Sequence, residues 1–405
     1  MRRGTFLFTR EYPPNTVGGT STVARNLAVG MTRRGLPVRV LTTAPGAARE
    51  TEETLDGVLV RRVPVDAVYD QSVPARRRIL AAADRMAADH GPPGALVVPD
   101  LFSWPEAAVF RGRHRTPLIN VLLQDFRAIT PYDRDGHRVT TGVGGRHEDL
   151  VRLEENACRS SDHTVYISRA LENAITGHYP GIEGRGSVVH LGVDLAEIDA
   201  VRADPEPLRR RAALLGGSPA RLVVAAGRLV PVKGFGHLVE AVARVNRGQV
   251  PGGPIRLVIL GAGPEAPHLH APADDLVILG DLPRADVLGW MSVADVAAVP
   301  SLWESFCYVC AEMMALERPV VATAVDSLCE LIPDESVGYP VPVDGPPGAR
   351  RLDPAVLAGR LAAALTDPGA AERGRAARRR VLENFTLDRY AAGVAAVAES
   401  LLAHA

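Results

Sequence analysis

Lysine is almost absent from this chain of 405 residues. Lys233 is the only one, and every other member of the 46 basic residues is arginine. Because arginine serves wherever a positive charge suffices, position 233 is predicted to need a compact ammonium on a flexible stem, the form of cation that binds phosphate as a point charge. The formal charge of −1 excludes a strong overall attraction to nucleic acid or to an anionic membrane.

Cysteine is scarce as well, with four residues in the whole chain. A chain of this length has too few cysteines for a disulfide scaffold and a core large enough to need none, so we expect reduced thiols and a cytoplasmic protein. The spacing Cys307-x-x-Cys310 invites a zinc or redox interpretation. No second Cys or His pair stands at ligand spacing, so buried apolar thiols are the preferred interpretation.

Long apolar runs are missing too. No window reaches the roughly 18 uninterrupted apolar residues of a membrane-spanning helix, which predicts that the protein has no integral membrane segment. The apolar stretch Phe6–Phe8 near the N-terminus is much shorter than the apolar region of a signal peptide. We therefore expect a protein that is not exported.

Short apolar strands alternate with longer helical patterns along the chain. Strands that are apolar on both faces are typical of parallel sheets covered by helices, so the predicted class is α/β with doubly wound sheets. The charged stretch Asp194–Arg211 contains two prolines and separates two series of strands, which places a domain boundary near residue 195. The candidate strands are Thr5–Phe8, Val38–Thr42, Leu96–Val98, Leu118–Leu122, Thr164–Ile167, Ser187–His190, Arg221–Ala225, Arg256–Leu260, Leu276–Leu279, Val296–Val299 and Val320–Thr323.

Three segments combine residues that could carry chemistry. Gly18 and Gly19 precede a helical pattern, where backbone N–H groups can approach an anion, although the same pair also suits an ordinary loop. Arg228 and Lys233 follow the strand that opens the second series, and their two charges could hold a diphosphate and stabilise its charge as it leaves. Such a pair would remove the need for a metal.

The third segment runs from a strand through a loop into a helix and contains two glutamates. Glu304 falls in the loop and Glu312 two turns into the helix, so both carboxylates can face one cleft. Each could accept hydrogen bonds from a pair of sugar hydroxyls, one pair from a hexose and the other from a ribose. Two glutamates at this spacing are common by chance, and their position after Pro300-Ser301 and before Pro319-Val320 is the distinguishing observation.

Together these segments resemble the retaining glycosyltransferases of family 4, which have the GT-B fold. The resemblance extends over nearly the whole chain. It implies an N-terminal acceptor domain at 1–195, a C-terminal nucleotide-sugar domain at 196–385 and a final helix within 386–405 that returns to the first domain. It is carried by Gly18-Gly19, Ser161–Ser168, His190–Asp194, Gly227-Arg228 with Lys233-Gly234, Gly261–Pro264, and the glutamates at 304 and 312.

The resemblance also implies roles for individual residues. Arg228 and Lys233 would bind the donor diphosphate, Glu304 the transferred sugar and Glu312 the ribose, and the first three are the expected catalytic residues. Retention would proceed by attack on the front face within an ion pair, with no protein nucleophile, cofactor or metal. Further donor contacts are expected at Gly18, Gly19, Gly227, Gly263, Gly280, Leu282, Ser305, Phe306, Cys307 and Tyr308.

The chain departs from the family pattern at several positions. Gln124 stands where a histidine before Asp125 is usual, and glutamine can hydrogen-bond a hydroxyl but cannot carry a proton. Side chains replace usual glycines at Cys307, Glu317 and Asp326-Ser327, which would either reshape the donor pocket or impair catalysis. Acceptor contacts are expected at Gln124, Asp125, Phe126, Arg146 and His147, with a charged loop as the alternative for the last two.

The sequence therefore favours an enzyme that moves a hexose or amino-hexose from a nucleoside-diphosphate sugar, with UDP the expected nucleotide, to a hydroxyl of a small-molecule acceptor. Its partners would be those two substrates, without nucleic acid. The changes at Gln124, Cys307 and Asp326-Ser327 leave a second hypothesis open, a catalytically silent nucleotide-binding or regulatory protein. A third is another enzyme of the same architecture, such as a nucleotide-sugar epimerase or a phosphorylase.

Overall fold

A computed structural model describes residues 4–15, 18–128, 147–248 and 253–403 of the chain. The chain divides into two units. Unit 1 comprises Met1–Gly192 together with Leu387–Ala405, and unit 2 comprises Val193–Thr386.

Unit 1 is built on an eight-stranded sheet with the order β3-β4-β2-β1-β5-β6-β7-β8. Every neighbouring pair is parallel except β3 with β4. All residues of β1 and β5 are buried, and all but Thr5 are apolar, as is typical of parallel strands covered by helices. The elements are β1 (Thr5–Phe8), α1 (Gly19–Arg33), β2 (Val38–Pro45), β3 (Thr51–Leu55), β4 (Val58–Val65), α2 (Val73–His90), β5 (Ala95–Val98), α3 (Trp104–His114), β6 (Leu118–Leu122), α4 (His147–Ser160), β7 (His163–Tyr166), α5 (Arg169–His178) and β8 (Gly186–Val188).

Unit 2 contains a six-stranded sheet with the order β11-β10-β9-β12-β13-β14. All its strand pairs are parallel. The elements are α6 (Leu195–Ala203), α7 (Glu206–Leu215), β9 (Arg221–Ala226), α8 (Phe235–Asn246), β10 (Ile255–Leu260), β11 (Leu276–Ile278), α9 (Arg284–Ser292), β12 (Val296–Val299), α10 (Tyr308–Ala315), β13 (Val320–Thr323), α11 (Leu328–Leu331), β14 (Tyr339–Val341), α12 (Pro354–Thr366) and α13 (Ala370–Asn384).

The charged stretch Asp194–Arg211, predicted to separate two series of strands, contains α6 and the first part of α7. Asp194 caps α6, since its side chain accepts a hydrogen bond from the backbone N–H of Ala196 at 3.0 Å. Pro205 and Pro207 stand at the start of α7, where proline is tolerated because the first helical N–H groups have no partner inside the helix. The prolines therefore mark the beginning of a helix and do not interrupt one.

The last helix, α14 (Leu387–Ala403), packs within unit 1 against α1. A Cβ at Gly30 would lie 2.5 Å from the Leu387 side chain and 2.7 Å from Ala391, so the absence of a side chain lets the two helices approach closely. In the residues that the structure describes, no helix combines the length and apolar character needed to cross a membrane.

Candidate active site

The candidate site of unit 2 lies at the carboxyl ends of β9 and β12. These strands are neighbours, but β10, which follows β9 in sequence, pairs on the other side of β9. The strand order therefore reverses between β9 and β12, and open parallel sheets bind ligands in the crevice at such a point. Arg228 follows β9 and Glu304 follows β12, so both residues belong to this crevice.

Lys233 and Glu304 form an ion pair in the crevice. The Lys233 Nζ atom lies 2.6 Å from Glu304 Oε1, and the Ser301 hydroxyl donates to the same oxygen at 2.8 Å. Burial lowers the pKa of the Lys233 ammonium, but the Glu304 carboxylate outweighs it and holds that pKa above its ordinary value. The only lysine of the chain is therefore a charged ammonium, which has three N–H donors and gives one of them to Glu304.

Arg228 brings a second positive charge to the same crevice. Its side chain is exposed, and among the described residues its guanidinium has no ion-pair partner. Its charge acts on Lys233, since it opposes the rise in the pKa of that ammonium. Two cations that repel each other in the free protein would be stabilised by an anion between them, and a diphosphate carries charge enough to serve both.

Several glycines lie in the loops at the ends of the neighbouring strands. A Cβ at Gly263 would lie 2.3 Å from the carbonyl oxygen of Leu229, and one at Gly261 would lie 2.2 Å from that of Gly227. The backbone N–H of Gly261 donates to the Gly280 carbonyl at 2.8 Å. Gly227, Gly263 and Gly280, all predicted at the donor site, thus belong to one cluster of loops. At Gly263 the absence of a side chain permits close backbone packing.

The loop after β12 leads into α10 through strained backbone. Cys307 caps α10 with a φ of 79°, in the left-handed region that favours glycine, and burial raises the pKa of its thiol well above the ordinary value. Phe306 is 2% exposed and packs against the rings of Tyr308 and Phe385 at 5.6 and 5.9 Å between centroids. Ser305 is half-buried. The predicted donor residues are therefore placed together here, with the Phe306 ring inside the core.

Glu312 is paired with an arginine that the sequence motifs do not identify. The carboxylate is 3% exposed, and its Oε1 atom lies 2.9 Å from a terminal nitrogen of Arg284, at the start of α9. The Arg284 Nε atom also donates to Glu197 of α6 at 2.7 Å. Burial raises the pKa of Glu312, and Arg284 opposes that rise. Leu282 lies two residues before Arg284 and is half-buried.

In unit 1, the predicted glycine loop is joined to an acidic residue. Gly18 and Gly19 begin α1, and a Cβ on either one would meet no described atom within 4 Å beyond the adjacent residues and the backbone of its own helix. The Gly18 backbone N–H donates to Glu11 Oε2 at 2.9 Å, while the Tyr69 hydroxyl donates to the other oxygen of the same carboxylate. Space around the two glycines is consistent with a ligand, but Glu11 already engages one amide of the helix N-terminus.

Three of the predicted acceptor residues, Gln124, Asp125 and Phe126, follow β6, and the last two serve the local structure. Asp125 is 1% exposed and accepts from the backbone N–H groups of Arg127 and Ala128 at 2.8 and 3.1 Å. His178 of α5 lies 3.0 Å from the other Asp125 oxygen, so this carboxylate has a histidine partner. Gln124 itself is half-buried.

Phe126 is 5% exposed and packs at right angles to Phe102. Its backbone N–H donates to Glu154 at 2.9 Å, and the Tyr179 hydroxyl donates to that carboxylate at 2.7 Å. Burial raises the pKa of Glu154 to about 7. His147 is half-buried at the start of α4. Arg146, also predicted to contact the acceptor, lies outside the described residues.

In the part of the chain that the structure describes, no group of three or more His, Cys, Asp or Glu side chains is placed to hold a metal ion. Cys310 is buried, and burial raises the pKa of its thiol far above the ordinary value. Cys307 is half-buried.

Comparison with known proteins identifies the family. The model "Glycosyl transferase 4-like domain" matches residues 18–192, and "Glycosyl transferases group 1" matches residues 220–367. The chain is a family 4-like GT-B glycosyltransferase. A D-inositol 3-phosphate glycosyltransferase of Kribbella flavida is 28% identical over 377 residues, covering 88% of this chain and 84% of that protein.

Solved structures share the fold of this glycosyltransferase. A sucrose-phosphate synthase from Thermosynechococcus elongatus has a TM-score of 0.78 and 20% identity, covering 100% of each chain. Anabaena HepE in complex with UDP and glucose has a TM-score of 0.73 and 18% identity, covering 98% of this chain and 100% of that chain. The predicted GT-B architecture, with two parallel-sheet α/β domains, is confirmed.

Within unit 2 of the glycosyltransferase, the sequence motifs placed the cations and both glutamates at one sheet edge. The residues that the motifs missed are polar partners from distant parts of the chain. Arg284 pairs with Glu312, and Arg350 contacts the loop that carries Glu304. The scarcity of lysine pointed to Lys233, but no comparable signal distinguishes two arginines among so many.

Proposed function

We propose that this glycosyltransferase is a retaining, metal-independent enzyme that transfers a hexose or amino-hexose from a UDP-sugar to a hydroxyl of a small-molecule acceptor. The observation that carries the proposal is the pairing of Lys233 with Glu304 beside the exposed Arg228, at 2.6 Å between Lys233 Nζ and Glu304 Oε1. Two cations and one carboxylate in this arrangement would suit a diphosphate and the sugar attached to it.

The two cations would act on the leaving group. As the bond between the sugar C1 and the diphosphate oxygen breaks, the electron pair stays on the diphosphate, and its charge grows. Lys233 and Arg228 would stabilise that charge by charge-assisted hydrogen bonds, which are worth most where water is excluded. A lysine has three N–H donors, so it can hold Glu304 and still donate to a phosphate oxygen.

The two glutamates would orient the donor. Lys233 and Ser301 both contact Glu304 Oε1, at 2.6 and 2.8 Å, and Oε2 would accept from a hydroxyl of the transferred sugar. Glu312 would accept from the ribose, with Arg284 keeping its buried carboxylate paired. The acceptor hydroxyl would attack C1 on the face that the diphosphate leaves, and its proton would pass to a phosphate oxygen of the leaving group.

The support for UDP and for a small acceptor is the resemblance of the chain to other proteins. A similar structure holds UDP and glucose, and relatives carry the name D-inositol 3-phosphate glycosyltransferase. Inositol 3-phosphate is therefore the first acceptor to test. Free and phosphorylated sugars and cyclitols complete the set.

The first experiment is a thermal-shift comparison of UDP, GDP, ADP and dTDP and their common sugar conjugates, on the wild type and on Lys233→Met. A ligand at one hundred times its dissociation constant adds about 2.7 kcal/mol to the stability of the folded state. We expect UDP and one UDP-sugar to stabilise the wild type and to stabilise Lys233→Met much less. Equal stabilisation of both proteins would contradict the proposed diphosphate site.

Turnover is then measured by mass spectrometry of the acceptor panel, and the anomeric configuration of the product by NMR. An axial donor linkage that gives an equatorial product would refute retention. Nucleotide binding without any product across the panel would favour a silent nucleotide-binding protein. Conversion of the UDP-sugar without an acceptor would favour an epimerase.

A further inference from the structure

The segment that follows β13 holds the backbone of the loop that carries Glu304. The Asp326 carboxylate accepts from the backbone N–H of Glu304 at 3.3 Å. The Ser327 hydroxyl lies 3.1 Å from the carbonyl oxygen of Glu304 and 3.0 Å from that of Phe306. Both backbone polar groups of Glu304 are thus engaged by two consecutive side chains.

Arg350 connects this segment to the loop a second time. Its two terminal nitrogens donate to the two oxygens of Asp326 at 2.5 and 2.7 Å, and one of them also donates to the Leu302 carbonyl at 2.7 Å. The Arg350 and Asp326 side chains are 11% and 16% exposed. Paired contacts between a guanidinium fork and a carboxylate fix direction as well as distance, which a single ammonium cannot do.

The backbone at Asp326 supports a functional interpretation of these contacts. Its φ is 41°, in the left-handed region that is unfavourable for a residue with a side chain. Such strain persists only where surrounding contacts stabilise it, and it is frequent near functional sites. Glycine would adopt this conformation without strain but would supply no carboxylate to Arg350 or to the Glu304 amide.

Building on the proposed function, we infer that Asp326, Ser327 and Arg350 form a brace that holds Glu304 in position for the transferred sugar. Arg350 is a positioning residue in this arrangement, because it acts through Asp326 and the Leu302 carbonyl. Asp326 and Ser327, which replace two usual glycines, then order the donor loop. This interpretation opposes the alternative in which those replacements silence the enzyme.

The test compares Arg350→Ala and Arg350→Lys with Arg351→Ala. Arg351 is the adjacent arginine, is exposed, and contacts Asp344 through its backbone alone among the described residues, so its variant is the matched control. For each full-length protein we would measure kcat with the UDP-sugar, the Kd of UDP, and amide hydrogen exchange of peptides covering residues 302–306. UDP lacks the sugar that Glu304 would hold, so its affinity separates positioning from general damage.

We expect Arg350→Ala to lower kcat at least tenfold, to change the Kd of UDP less than twofold, and to accelerate exchange at 302–306. Arg350→Lys should lie between it and the wild type, and Arg351→Ala should match the wild type. An unchanged kcat, unchanged exchange, or a loss of UDP affinity as large as the loss of kcat would overturn the inference. If the wild type transfers no sugar, the proposed function fails, and exchange of the free proteins still decides whether the brace holds the loop.

A second pair of variants tests the connection between the two charged residues. If Arg350 acts through Asp326, the double variant D326G/R350A should lose no more activity than the worse of its two single variants. Full additivity of the two losses would mean that the residues act independently and would reject the brace.

Discussion

Replacing Lys233 by arginine tests whether the single lysine of the chain serves more than its charge. At the observed 2.6 Å, an ion pair in an environment with an effective dielectric constant of 20 has a gross attraction of about 6 kcal/mol, most of it offset by lost hydration. The substituted guanidinium would keep that attraction in part. The change in geometry is therefore the quantity that the experiment isolates.

A planar guanidinium cannot occupy the place of the ammonium without disturbing its partners. Glu304 Oε1 already accepts from the Ser301 hydroxyl at 2.8 Å, so a fork that seeks both carboxylate oxygens competes with that hydroxyl and with the sugar. The expected loss of transition-state stabilisation equals about one hydrogen bond to a charged group, roughly 1.5 to 3 kcal/mol. It corresponds to a fall in kcat/KM of about 10- to 150-fold.

The assay is steady-state transfer from the UDP-sugar, with the Kd of UDP measured in parallel for Lys233→Arg, Lys233→Met and the wild type. Arg247→Lys is a suitable control, since Arg247 is exposed at the end of α8, outside the site. If Lys233→Arg retains more than about a third of the wild-type kcat/KM, a guanidinium suffices at this position. The scarcity of lysine would then carry no functional information.

Other perturbations separate further parts of the site. Glu312→Ala should weaken the binding of UDP about tenfold or more and leave the binding of 2′,3′-dideoxy-UDP unaffected, and Arg284→Ala should act in the same direction. Both affinities are measured by calorimetry, and equal losses for the two nucleotides would refute the ribose contact. EDTA should leave sugar transfer unchanged, and a loss restored by added Mg²⁺ would contradict a metal-independent site. Burial raises the pKa of Glu154 from its ordinary 4.5 to about 7. Between these two pH values the folded protein holds a proton on Glu154 that the unfolded chain has released. The free energy of unfolding therefore falls as the pH rises from 4.5 to 7. Urea unfolding should show a loss of roughly 3 kcal/mol from pH 4.5 to 7 that Glu154→Gln lacks, and parallel profiles for the two proteins would disprove the assignment.

Most parallel strands could be predicted because each is a short apolar run, but the hairpin of β3 and β4 was missed. In β3, four of the five residues are exposed, so the strand has no apolar character to detect. Its stability depends on pairing with β4, where the buried Arg61 contacts Glu52 at 2.6 Å. Asp56-Gly57 lies between the two strands, with φ values of 52° and 79°, and an Asp-Gly pair is typical of a hairpin turn. The pair predicts a hairpin only when alternating apolar residues flank it, and β3 lacks them.

Some residues of the candidate site could be predicted from local sequence patterns, and others could not. Arg228 and Lys233 follow β9, Glu304 follows β12, and Glu312 lies in the helix that comes next, so local patterns placed them. Arg350 comes from a loop before α12, and its role depends on which carboxylate the fold brings to it. A residue whose function depends on an ion pair with a distant part of the chain has no recognisable pattern in its neighbouring sequence. Sequence reasoning therefore did not find Arg350.

The return of α14 to unit 1 has a consequence for synthesis of the chain. Unit 1 is discontinuous, because the whole of unit 2 is translated between β8 and the helix that covers Gly30 of α1. At ribosomal rates of about 5 to 20 residues per second, the first part of unit 1 is exposed for roughly 10 to 40 seconds before α14 emerges. During that interval the α14-binding surface of α1 is open to chaperones, and unit 2 can complete its own core before unit 1 does.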